Sequence, residues 1–156
     1  MDQACLLCDP VRAGADLFRI QVWEDGLWRL STTLFGAIPG FSYLEPKRHI
    51  PHLTDLDGPE AATFGPIMAK VTSALRAATG ASLVYVYVFG GGIPHLHVHL
   101  APHRDGDALN SDVIRGALTS EKLPSGATVM RSTEFPPRPE PELRAAADAI
   151  RAHLTS

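Results

Sequence analysis

Cysteine is scarce in this chain: two in 156 residues, Cys5 and Cys8. A single pair three positions apart is not the disulfide framework of a small secreted domain. Long apolar runs are missing too, and none approaches the ~20 residues of a membrane-spanning helix. Neither sign of charge prevails: 14 Lys and Arg stand against 17 Asp and Glu, a net charge of −3. Nothing therefore recommends nucleic acid or an anionic membrane as a partner. Met1-Asp2-Gln3-Ala4 shows no basic segment followed by an apolar stretch. The expectation is a cytoplasmic protein without a signal peptide. Repeats and low-complexity tracts are absent. What is present is 45% hydrophobic, ordinary for a globular chain and enough for one domain with a real core.

The most informative stretch is His95-Leu96-His97-Val98-His99-Leu100. Strict alternation of histidine with apolar residues has the period of a β-strand, not a helix. The spacing predicts a strand over residues 95–101, with three imidazoles about 6–7 Å apart on one face and Leu96, Val98 and Leu100 on the other. Imidazole can ligate a metal, attack an electrophile, or move a proton near neutral pH. Two chemistries suit such a row: a pure metal site, or nucleophilic catalysis at phosphorus. Gly90-Gly91-Gly92-Ile93-Pro94 precedes the run, and its free N–H groups could bind an anion. A backbone carbonyl must hold one nitrogen of an attacking histidine to fix its tautomer, and Gly90–Gly92 are near enough in sequence to supply it.

Cys5-Leu6-Leu7-Cys8 is a CxxC element: half a zinc site, a redox pair, or two ordinary thiols. No strand precedes it, against a thioredoxin-like arrangement, and seven histidines are available to complete a four-ligand zinc site. Strands are expected over 17–23 and 27–33 around Glu24-Asp25-Gly26, and over 40–45, ended by Pro46. Trp23 and Trp28 read as packing residues, and His52 as a surface residue. Asp57-Gly58-Pro59-Glu60 opens a helix that Gly80 should stop after Thr79, with Phe64, Ile67, Met68, Val71 and Leu75 along one stripe. A buried strand is expected over 82–89, a short helix over 110–119, and a short strand over 128–131. Phe135 to Pro141 is an extended linker, and a C-terminal helix follows over 142–154. Together these describe an α+β domain with one antiparallel sheet of about five strands and helices on one side.

The run His95-Leu96-His97-Val98-His99-Leu100-Ala101, followed by Pro102, resembles the signature of the histidine triad (HIT) superfamily. Pro39-Gly40-Phe41-Ser42-Tyr43-Leu44-Glu45-Pro46-Lys47-Arg48-His49-Ile50 resembles the family's strand segment ending in Pro-Lys-x-His. The resemblance covers roughly residues 4 to 104 and points to zinc-containing bacterial-type members. It implies a HIT-like fold: a curved antiparallel sheet with helices packed on it and, in this chain, an extra C-terminal helix. Residues 1–135 would form the HIT-like domain, and residues 136–156 a Pro-rich linker and helix packed on it. A two-fold homodimer is implied as well.

The resemblance also implies chemistry. HIT proteins are mostly hydrolases and transferases that cleave dinucleoside polyphosphates, nucleoside phosphoramidates or adenylated substrates, or move a nucleotidyl group. His97 would attack the α-phosphorus and carry a covalent nucleotide, and His99 would bond the phosphate or leaving group. Gly90, Gly91, Gly92, His99 and His103 would bind the substrate, a nucleotide or nucleotide conjugate. One structural zinc per chain would be held by Cys5, Cys8, His49 and His95. The chain departs from the pattern in its pocket. Phe41 stands where many members carry an orienting histidine. Gly91 and Gly92 stand where many carry Gln and Ser or Thr, and His103 where many carry Arg. Leu30-Ser31-Thr32-Thr33 lacks the acid that usually holds the ribose. These departures support an alternative, a catalytically weak, zinc-stabilised nucleotide-binding protein. A third reading has all three strand histidines on one metal.

Overall fold

The computed structural model describes residues 5–107, 117–133 and 135–155. Cys5 to Cys8 is closed by one 3-10 turn, Leu6–Cys8, with the Cys8 N–H donating to the Cys5 carbonyl at 3.2 Å. A short helix α1 (Pro10–Asp16) follows, which the periodicity argument missed. Its signal is local: the Asp9 carboxylate accepts from the Arg12 N–H at 3.1 Å, and Pro10 occupies the first helical position. Leu17 caps this helix and Phe18 takes φ +50°, so the first strand starts later than expected.

That strand is β1 (Arg19–Glu24), followed by β2 (Trp28–Thr33) and β3 (Ser42–Pro46). Asp25 Oδ1 closes the first turn by accepting from the N–H groups of Leu27 and Trp28 at 2.8 and 2.7 Å. Gly40, before β3, is required by space: at φ +84° an added Cβ would meet the Thr79 methyl at 2.6 Å. The long helix α2 (Gly58–Thr79) has the expected bounds, ended by Gly80 at φ +70°. Then come β4 (Leu83–Tyr87) and β5 (Val98–His103). They complete a five-stranded sheet of order β1-β2-β3-β5-β4, antiparallel throughout. β4 is thus an edge strand, half exposed, where a buried strand was expected.

The histidine run departs most from expectation. The strand starts at Val98, so among the triad only His99 lies in it. The ladder between β3 and β5 stops at Leu44↔Val98. Two residues further β3 reaches Pro46, which has no N–H to donate. Leu96 turns aside and donates its N–H to the Ile50 carbonyl at 2.7 Å.

β6 (Ala117–Lys122) and β7 (Thr128–Thr133) form a separate two-stranded sheet. The helix expected over 110–119 is therefore strand from Ala117 onward, and its earlier part lies outside the described residues. The C-terminal helix α3 (Glu140–Thr155) begins two residues early. It buries Leu143, Ala147, Ile150 and Leu154 against α2 and the first strands.

Side chains alternate across the sheet and sort it into two faces. Trp28, Leu30, Leu44, Val98 and Leu100 meet Ile67, Val71, Leu75 and Ile150 under α2 and α3. Trp28 is fully buried and its indole N–H donates to Thr63 Oγ1 at 2.9 Å. The opposite face carries Arg29, Tyr43, Glu45, Tyr87 and His99. The N-terminal turn lies against this second face: the Arg29 guanidinium donates to the Leu7 carbonyl.

Beneath that segment Glu45 is fully buried and accepts from Arg19 at 3.0 and 3.1 Å and from Arg29 at 2.7 Å. Breaking a buried pair by removing one partner costs roughly 3–5 kcal/mol, because the remaining charge is stranded. Glu45→Ala strands two guanidinium groups at once. Its melting temperature is expected to fall by on the order of 10 °C in thermal unfolding followed by circular dichroism. A loss of only a degree or two would mean that water or an anion replaces the carboxylate.

Candidate active site and metal centre

The CxxC turn is the first half of one cluster. It sets both sulfurs facing His49, just beyond β3, and His95, just before β5. Cys8 Sγ lies 3.3 Å from His49 Nδ1 and 3.6 Å from His95 Nδ1, and Cys5 Sγ lies 3.5 Å from His95 Nδ1. One donor atom from each of the four residues falls within 4.8 Å of every other. The ring of His95 is fully buried and fixed from behind: its Nε2–H donates to the Pro46 carbonyl at 2.8 Å. That bond leaves the Nδ1 lone pair facing the thiols, the outer support that ligating histidines ordinarily have. Burial pushes the His95 imidazole below its usual pKa range, outweighing the Pro46 carbonyl and Glu45, which pull upward. A neutral ring is the form that ligates. Two thiols and two imidazole nitrogens are a donor set for a tetrahedral ion.

The triad therefore divides. His95 belongs to this cluster, which includes neither His97 nor His99; that disposes of one metal held by all three. His97 is half-buried, and its Nδ1–H donates to the His95 carbonyl at 2.7 Å. The carbonyl comes from His95, not from Gly90–Gly92 as the sequence suggested. The His99 ring is 5.2 Å from that of His97 and stacks on Tyr87 at 4.6 Å, 7° from parallel. Tyr43 and Phe41 approach His99 edge-on at 5.4 and 6.1 Å. Phe41, in place of the expected orienting histidine, thus packs on the triad as part of an aromatic wall.

Beside His97 opens a cleft of about 240 Å³, walled by residues 51–54, 88–90 and 95–97. Gly90 lines it at φ +74°, whereas the exposed Gly91 and Gly92 do not. His103 is not brought to the cleft. It sits four residues along β5 from His99, roughly 13 Å away, stacked on Tyr85 at 5.3 Å and bonded to the Asp107 carboxylate at 2.8 Å. Sequence reasoning missed His52, exposed but lining the cleft, and the aromatic wall. The alternation of Tyr85, Tyr87 and Phe89 at period two was the available signal for that wall.

An antiparallel sheet carrying a divided histidine triad beside a four-donor cluster defines the class, and the comparisons agree. The HIT domain family model matches residues 19–106, more than half of the chain, and the chain belongs to that family. It is 28% identical over 111 residues to an uncharacterized HIT-like protein of Mycobacterium tuberculosis, covering 68% of this chain and 76% of that one. It is 29% identical over 90 residues to the bifunctional bis(5'-adenosyl)-triphosphatase/adenylylsulfatase FHIT of Arabidopsis thaliana, covering 54% of this chain and 50% of that one. The nitrilase and fragile histidine triad fusion protein NitFhit of Caenorhabditis elegans is also 29% identical over 90 residues, which make up 54% of this chain but only 20% of the fusion. Among solved structures, a Zn-bound histidine triad family protein of Mycobacterium smegmatis superposes with a TM-score of 0.65 at 20% identity, covering 97% of this chain and 93% of that one.

Proposed function

We propose that this chain is a HIT-type nucleotide hydrolase or nucleotidyltransferase that works at an α-phosphorus through a covalent nucleotide on His97. The observation that carries this reading is the hydrogen bond from His97 Nδ1–H to the His95 carbonyl. With that proton fixed, the neutral ring keeps its lone pair on Nε2, as a nucleophile must. Attack forms an N–P bond while the leaving group departs with its electron pair. Water or another acceptor then breaks the N–P bond and restores the ring, so one hard displacement becomes two easier ones. His99, beside it at 5.2 Å between ring centres, is the imidazole that bonds the phosphoryl oxygens. The adenosyl triphosphatase named among the relatives supports nucleotide chemistry.

Zinc is the ion that the Cys5, Cys8, His49 and His95 donors suit best, and the Zn-bound neighbour supports that choice. Closed by four protein ligands, it supplies folding energy. Two copies of the chain pair, in this reading, along β4, an edge strand with Leu83 and Val86 exposed. Light scattering on the purified protein should give twice the chain mass, and a single chain mass rules the pairing out.

The second reading, a nucleotide-binding protein with little turnover, is favoured by one observation: Phe41 packs on His99 and offers it no hydrogen bond. Rapid-quench labelling with α-phosphorus-labelled nucleotides separates the two. One nucleotide bound covalently to His97 supports the enzyme. Reversible binding with neither adduct nor turnover supports the binding protein instead.

A further inference from the structure

Cys5 and Cys8 are the only cysteines in the chain, and neither is in a disulfide. One 3-10 turn holds both, closed by the Cys8 N–H on the Cys5 carbonyl at 3.2 Å. A turn closed that way keeps its end Cα atoms within about 7 Å, close enough for a disulfide to join them. The two sulfurs lie within 4.8 Å of each other. Bridging them therefore requires no movement of a second segment. Access is unequal: Cys5 is 7% exposed, whereas Cys8 is half-buried. A small oxidant meets Cys8 Sγ first, and Cys5 Sγ stands beside it.

The same sulfurs are what the N-terminal turn contributes to the four-donor cluster. Cys8 Sγ lies 3.3 Å from His49 Nδ1, 41 positions along the chain, and Cys5 Sγ lies 3.5 Å from His95 Nδ1, 90 positions along. An ion held by all four ties three segments together. A disulfide between residues three apart closes a very short loop, the cross-link that removes least entropy from the unfolded chain. It leaves His49 and His95 with no ligating partner in the turn. Oxidation thus exchanges a long-range tie for a local one, and its net effect is a loss of stability.

We propose that Cys5 and Cys8 form a reversible oxidation site for hydroperoxides, at which disulfide formation expels the metal and unfastens the N-terminal turn from His49 and His95. This rests on zinc occupying the cluster, where coordinated thiols are held as thiolates. With hydrogen peroxide, the Cys8 thiolate attacks one oxygen and the O–O bond breaks. The other oxygen leaves as hydroxide and takes up a proton to become water, and Cys8 is left as a sulfenic acid. The Cys5 thiolate then attacks the Cys8 sulfur, the S–O bond breaks, and a second hydroxide leaves and is protonated to water. Two electrons have passed from the sulfurs to the peroxide. A thiol reductant returns both thiols by exchange. The His95 carbonyl holds the His97 Nδ1 proton at 2.7 Å, so oxidation also loosens the support of His97.

The test uses purified holoprotein whose zinc content has been measured. It is treated with hydrogen peroxide in the presence of a zinc-responsive dye, then followed by intact mass, thiol titration and thermal melts. Expected are the loss of two hydrogens in mass, the loss of both titratable thiols, zinc release in step with them, and a melting temperature lower by more than about 10 °C. Dithiothreitol with added zinc should restore the thiols, the bound zinc and the melting temperature. Cys8→His keeps a ligating nitrogen but removes the accessible sulfur, so peroxide should release its zinc at least about tenfold more slowly. Protein purified without zinc overturns the metal reading, and the release with it. Where zinc is present, four results overturn the oxidation site and leave the metal reading standing. These are thiols that survive peroxide at concentrations that oxidise glutathione, zinc retained after both thiols are consumed, sulfinic or sulfonic acids in place of the disulfide, and a disulfide that leaves the melting temperature unchanged. Equally fast release from Cys8→His overturns the role of Cys8.

Discussion

Replacing His97 with alanine is expected to lower kcat by roughly a thousandfold or more, about 4 kcal/mol of transition-state stabilisation, and to abolish covalent labelling. The large effect comes from removing the atom that forms the bond. The fold should barely register the change. His97 is half-buried, and the hydrogen bond it gives the His95 carbonyl is worth about 1 kcal/mol net. His99→Ala should show the reverse balance. His99 is buried among Phe41, Tyr43, Tyr87 and Phe89, so truncation opens a hole in an aromatic wall. That variant should lose more in melting temperature than His97→Ala and less in kcat. Rapid-quench labelling, kinetics and thermal melts on the two variants measure both quantities. Undiminished turnover by His97→Ala would refute the nucleophile.

The candidate residues of the metal cluster and the triad were legible in the sequence because their spacing is unusual. Cys5 and Cys8 lie three apart, and the histidines alternate two by two. The bounds of α2 were legible because Pro59 and Gly80 act within one turn of the chain. Where the sequence misled, the cause was an interaction with a residue far away. Periodicity placed His95 and His97 on a strand, yet β5 loses its partner at Pro46, some fifty positions earlier in the chain. That loss is what allows the triad to divide. His95 is released from the ladder to face the thiols, and its carbonyl is left to receive the His97 proton. A perfect strand would have kept all three imidazoles on one face. The motif gives the distance of His103 along the chain, and four residues of extended strand carry it roughly 13 Å from His99. His52 was unreadable because its neighbour in the cleft is Gly90, and no local pattern links the two.

Purified protein should contain close to one zinc per chain, and the Cys5→Ser/Cys8→Ser double variant almost none, by inductively coupled plasma mass spectrometry. Zinc bound by thiolates and imidazoles at a closed site is worth about 10–16 kcal/mol in apparent binding free energy. A whole domain is stable by only about 5–15 kcal/mol. Loss of the ion therefore threatens the fold itself, and Cys5→Ser should lower the melting temperature by more than about 10 °C. The damage should start locally. The cluster ties three distant segments together: the N-terminal turn, the end of β3 and the approach to β5. The Leu7 carbonyl, between the two cysteines, also accepts from Arg29, which pairs with buried Glu45. Releasing the turn thus exposes a buried ion cluster as well as the thiols. His97 follows His95 by two residues and donates to its carbonyl, so activity should fall too, through loss of positioning and not of the nucleophile. Assay at low temperature separates these effects: where Cys5→Ser remains folded, it should still form the nucleotide adduct on His97. Full zinc content in the double serine variant, or an unchanged melting temperature after exhaustive chelation, would remove the metal from this account.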